Sequence, residues 1–108
     1  MRTETQPTFA VRIYLSGPIE IAKQTIREEC LREGLCVTVE QTFIYTGGEE
    51  VGYVVGLINY PRFPSSPEAI RVRARYLAER LLIGTFQHSA LLMDPQQTEW
   101  LTVREHAA

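Results

Sequence analysis

The chain has 108 residues, 44% of them hydrophobic and 22% charged, with a formal net charge of -2 at neutral pH. That length supports one domain with one core of modest size, and the composition excludes a disordered chain. The slight negative charge removes the electrostatic footprint of a non-specific nucleic-acid binder, so nucleic acid is not an expected partner.

Residues 1–8 are polar and carry no signal-peptide core, which predicts a flexible N-terminus and a cytoplasmic protein. No apolar run approaches the roughly 18 residues of a membrane span. From Phe9 to Leu15 apolar and other residues alternate, the pattern of a strand with Val11, Ile13 and Leu15 inward and Arg12 and Tyr14 outward. Pro18 suits the first turn of a helix, and Ile19, Ala22, Ile26 and Cys30 recur at helical spacing up to Gly34, which sits where a C-terminal glycine cap belongs. The β-branched run at Cys36 continues through Tyr45 as a second strand, and Thr46-Gly47-Gly48-Glu49 signals a hairpin. A third strand, from about Glu50 to Asn59, is apolar on both sides: Tyr53, Val55 and Leu57 on one, Gly52, Val54, Gly56 and Ile58 on the other.

The next stretch carries Pro61, Pro64 and Pro67, which fix their own φ and push the preceding residues to extended conformations. The stiff segment is either a plain connector or a presenter of Tyr60, Arg62 and Phe63, an aromatic-cation-aromatic set suited to a planar ring or an anionic group. Ser66-Pro67-Glu68 opens a second helix with Ile70, Ala74, Leu77 and Leu81 toward the core, and Arg71 and Arg75 stand near Glu68 and Glu79 at the spacing of exposed ion pairs. A last strand is predicted from Phe86 to Met93, and residues 96–108 read as a polar tail holding Trp100.

The order βαββαβ predicts an α+β fold, the ferredoxin-like plait: a four-stranded antiparallel sheet with two helices on one face, in a single domain spanning 9–95. Two-sided apolarity of the third strand predicts that the open face is covered by another copy of the chain, with Arg12, Tyr14, Tyr53, Val55 and Leu57 in a homo-oligomer interface.

No residues have the spacing of a nucleophile-base pair, a phosphate-binding loop or a metal cluster, so no catalytic residue, metal or cofactor is expected. Cys30 and Cys36 lack a CxxC or a histidine at ligand spacing and read as thiols. His88, expected inside the last strand, reads as a structural histidine; a small enzyme built around it is an alternative.

Ile13-Tyr14-Leu15 followed by Ser-Gly resembles the shorter signature of RNA-recognition motif domains, and Val51 to Ile58 their longer one. That resemblance implies Tyr14 and Tyr53 as stacking residues for single-stranded RNA, though Glu49 and Glu50 place negative charge beside the phosphate path. The segment from Glu29 to Glu50, with a second helix and Trp100-Leu101 after it, resembles the CutA-type divalent-cation-tolerance proteins and their PII-like relatives. This second resemblance implies trimers that hold small ligands in clefts between subunits. The expectation is therefore a non-enzymatic, self-associating binding or regulatory protein that takes a small ligand or a protein partner through Tyr60, Arg62 and Phe63, in the manner of an inhibitor encoded on a mobile element.

Overall fold

The computed structural model describes residues 1–34 and 36–103. Its elements are β1 (Ala10–Ser16), α1 (Ile19–Glu33), β2 (Val37–Tyr45), β3 (Glu49–Ile58), α2 (Pro67–Gly84), β4 (Ser89–Met93) and β5 (Thr98–Thr102). The strands form one sheet in the order β2-β3-β1-β4-β5, every neighbouring pair antiparallel. No helix among the described residues is long and apolar enough to cross a membrane.

Both helices begin and end where local chemistry dictates. Pro18 is extended and leads into α1, and Gly34 ends it in the left-handed region at φ 64°, its N–H donating to the Cys30 carbonyl. Ser66 caps α2 by accepting from the Ala69 N–H, with Pro67 in the first turn. The helices cover one face of the sheet. Val11, Ile13 and Leu15 of β1 pack there with Tyr53, Val55 and Leu57 of β3 and with Ala74, Leu77, Ala78 and Leu81 of α2. Glu29 is buried between the helices, but it is paired: Arg32 reaches it at 2.7 Å and Arg80 of α2 at 3.5 Å.

Two expectations are corrected. The sheet has five strands, not four, because the supposed tail continues it: β5 runs antiparallel to β4 and delivers Leu101 to the core. Asp94 makes the turn between them. Its carboxylate accepts the N–H groups of Gln96 at 2.7 Å and Gln97 at 3.1 Å and the Arg71 guanidinium at 3.1 Å. Arg71 also donates to Gln96, and Arg75 reaches Glu99 of β5 at 2.7 Å, so the α2 arginines tie down the fifth strand. The second correction is that β4 begins at Ser89, which leaves His88 exposed ahead of it. The preceding Phe86 holds a positive φ of 56°, a conformation a strand does not accommodate.

Candidate functional site

The open face of the sheet follows from strand register. Residues directly opposite one another in an antiparallel pair project to the same side. Val55 pairs with Ile13, Leu57 with Val11 and Tyr53 with Leu15, so all three β3 residues share the core side of β1. This corrects their expected place in an open-face interface: Tyr53 and Val55 are 0% exposed and Leu57 3%, all beneath the helices. Arg12 and Tyr14 do stand on the open side, beside Gly56 and Val54 respectively.

Two cross-strand rows organise that side. One runs Trp100, Leu91, Tyr14, Val54, Glu40, and the next runs Thr98, Met93, Arg12, Gly56, Thr38. The rows meet in a groove of about 280 Å³ that Arg12, Tyr14, Thr38, Glu40, Val54 and Gly56 help to line. Gly56 keeps its floor low, because a Cβ there would stand 2.6 Å from the Thr38 hydroxyl. Gly52 is packed more tightly, since a Cβ would lie 2.5 Å from the Leu15 carbonyl oxygen and 2.8 Å from the Ile44 side chain. Neither the Arg12 guanidinium nor the Glu40 carboxylate has a side-chain partner among the described residues. An arginine and a glutamate left unpaired across one groove are suited to a ligand carrying both signs of charge. Beyond Tyr14 lies a second hollow of about 300 Å³, lined by Tyr14, Ser16, Ile44, Ser89, Leu91 and Trp100 among others.

Tyr60, Arg62 and Phe63 lie in the connection between β3 and α2, where Tyr60 and Phe63 line a small hollow together with Ile58, Cys36 and, from the helix layer, Ile70 and Arg73. The two rings stack with centroids 5.9 Å apart, and Arg62 stands over Phe63 at 5.4 Å. Ile58 lines both the groove and the small hollow under that stack. Sequence reasoning missed Glu40, Gly56 and Trp100 as parts of one surface, because β2 and β5 register is invisible before the strands are paired. Cys30 and Cys36 are free thiols; burial first, then Cys36 and Glu29, push the Cys30 thiol above its ordinary range, which makes it a poor nucleophile at neutral pH.

No family model and no curated protein matches this sequence. Solved structures do. A phage SAM lyase in complex with S-methyl-5′-thioadenosine matches over 99% of this chain and 98% of its own, with a TM-score of 0.72 at 15% identity. A phage SAM lyase in the apo state matches over 92% of both chains, with a TM-score of 0.63 at 18% identity. A de novo designed protein with a ferredoxin fold aligns over 94% of this chain with a TM-score of 0.41. The expectation of a non-enzymatic protein is corrected by these matches, since the fold shared over nearly the whole chain is one that an enzyme uses.

Proposed function

We propose that the chain binds S-adenosylmethionine on its open sheet face and cleaves it at the sulfonium sulfur, as a lyase. The observation that carries this reading is the groove at Gly56, where Arg12 and Glu40 flank Tyr14 and neither charge is paired among the described residues. The substrate has a carboxylate, an ammonium and a sulfonium. Arg12 offers a planar fork to the carboxylate, and Glu40 offers negative charge to the cationic end. The shared fold of the lyases lends further support.

The chemistry suits a groove without an acid-base pair. When the bond from sulfur to the γ-carbon breaks, its electron pair goes to sulfur and a neutral thioether leaves, so no acid is needed to protonate the leaving atom. The γ-carbon is taken by an oxygen of the substrate's own carboxylate, closing a five-membered lactone. No proton moves, and the positive charge of the sulfonium cancels the negative charge of the carboxylate. The protein's task is then orientation: holding the carboxylate against the carbon it attacks, an effect worth several kcal/mol, up to roughly 7–11, in well-aligned cases. Tyr60, Arg62 and Phe63 are assigned to the rim of this groove through Ile58, and their joint truncation is expected to raise KM without moving Tm.

The cytoplasm, where such a charged substrate is retained, is the proposed location. An origin on a mobile element is proposed with it, supported by the phage source of the matching lyases. The direct test is to incubate the purified chain with S-adenosylmethionine and follow S-methyl-5′-thioadenosine by chromatography and mass spectrometry. Thioether release that falls about 100-fold on Arg12→Ala is the expected result. Absence of the thioether at micromolar protein would refute the reading, and an alkene in place of the lactone would reassign Glu40 as a base.

A further inference from the structure

The open face is divided by Tyr14 into two halves of different character. On the β2 side the groove holds Arg12 and Glu40. The second hollow runs from Ile44 and Thr46 at the end of β2 to Trp100 of β5; every lining residue is uncharged, the Glu50 carboxylate touching its margin only by accepting from the Ser16 hydroxyl at 2.8 Å, and Trp100 stands 62% exposed next to Leu91. Tyr14 and Trp100 belong to the same cross-strand row with Leu91 between them. Two strand spacings separate them, about 10 Å, which leaves room for one planar ring over the leucine and between the aromatic side chains. An indole exposed on a sheet surface, beside a tyrosine and above an aliphatic floor, is a stacking platform for a heterocycle.

We propose that Tyr14, Ile44, Leu91 and Trp100 form a neutral subsite that grips the adenine ring of substrate and product alike, so that the thioether product is held after cleavage and inhibits the next turnover. The proposal rests on the lyase reading for its substrate and deepens it. Its physical basis is the division of charge. Cleavage removes the sulfonium and the carboxylate and leaves the fragment derived from the amino acid its ammonium alone, so Arg12 loses its partner and only Glu40 keeps one, whereas the ring in the uncharged half is unaltered. The fragment derived from the amino acid therefore leaves first, and the adenine-bearing thioether stays. The same logic makes adenosine, which has the ring and none of the charges, a competitive inhibitor.

Trp100 is the one tryptophan of the chain, so its fluorescence reports on this half of the face alone. S-methyl-5′-thioadenosine and adenosine are expected to quench it saturably and to inhibit thioether release with constants near KM, while homoserine lactone does neither. Leu91→Lys keeps the fluorophore and places a charge in the slot. It is expected to weaken quenching by both nucleosides roughly 10- to 100-fold, the range that loss of one stacked base gives, with the circular dichroism spectrum unchanged. Quenching without any turnover supports the subsite and refutes only the lyase reading. Turnover with neither quenching nor product inhibition overturns the subsite and leaves the lyase reading standing. Equal quenching by homoserine lactone also overturns it, as does a Trp100 emission that shifts on dilution of the free protein, which would mark the face as an interface between copies.

Discussion

Two glycines on β3 supply opposed tests of the open face. At Gly56 an added methyl meets only the end of an exposed threonine side chain, at 2.6 Å, and rotation of Thr38 relieves the overlap. Alanine also costs less chain entropy than glycine, by about 0.5–1 kcal/mol. Gly56→Ala is therefore expected to melt at or slightly above the parent temperature. The methyl nevertheless raises the floor between Arg12 and Glu40, and a displacement of about 1 Å in a positioned substrate can cost on the order of 100-fold. At Gly52 the obstacle is the Leu15 carbonyl oxygen at 2.5 Å, backbone of the central strand β1, which cannot rotate away. Overpacking of this kind costs ~1–3 kcal/mol. After the entropy gain, Gly52→Ala should lose about 1–2 kcal/mol, which for a domain of this size lowers Tm by roughly 5–15 °C. Thermal melts followed by circular dichroism, with kcat/KM from thioether release, read both variants. Parent-level kcat/KM in Gly56→Ala would show that the groove is not the reaction site, and a parent-like melt of Gly52→Ala would refute the close packing of that strand.

Asp94 is held below the ordinary carboxylate range, first by the Gln96 N–H, against a desolvation cost, and then by Arg71 and Gln97. A depressed acid stabilises the fold above its unfolded pKa of about 4, and the contribution is lost as pH falls further. Asp94→Ala should thus lower stability at neutral pH by ~1.5–3 kcal/mol and flatten the acid limb of the stability curve in chemical denaturation. The Tyr53 hydroxyl is buried and no hydrogen bond of good geometry reaches it among the described residues; the nearby Thr85 hydroxyl donates to the Leu81 carbonyl at 2.7 Å and offers Tyr53 only its oxygen. Burial, opposed in part by the Thr85 hydroxyl, pushes this phenol upward, so the contribution of its neutral form is complete below about pH 10 and lost above; Tyr53→Phe should match or exceed parent stability at pH 7 and resist alkaline unfolding better. Self-association is proposed through the end of the β2–β3 hairpin, where Phe43, Tyr45 and Val51 lie exposed at 56%, 69% and 44%. Light scattering should give a multiple of the 12.3 kDa chain that falls on Phe43→Glu, and a monomeric parent at tens of micromolar would refute it.

The elements with strong local punctuation were legible in the sequence. Gly34 and Ser66-Pro67 bound their helices as read, and the alternation in β1 assigned Arg12 and Tyr14 to the outer side. The third strand was not legible, because both of its sides look apolar and only pairing with β1 decides that Val55 goes under the helices while Val54 and its glycine neighbours go out. The fifth strand was hidden by its polarity: Thr98 to Thr102 buries one side chain, Leu101, and is secured by Arg71, Arg75 and Asp94 from elsewhere in the chain. The sequence has no nucleophile and base at paired spacing, the pattern expected of many enzymes, yet under the proposed reaction a substrate that carries its own leaving group and its own nucleophile requires neither.

The fifth strand also changes what the molecule offers its neighbours in solution. Without it, the sheet would end on Ser89-Ala-Leu-Leu-Met93, five uncharged residues with unpaired backbone groups, the kind of edge onto which another chain's strand readily adds. With it, the border becomes Thr98-Glu-Trp-Leu-Thr102, with a carboxylate at Glu99 anchored to Arg75. The opposite border, β2, carries Glu40 and Gln41 midway along its length. Both margins of the sheet thus present charge or polar side chains to approaching strands, and a chain shortened before Thr98 would lose solubility as well as its indole.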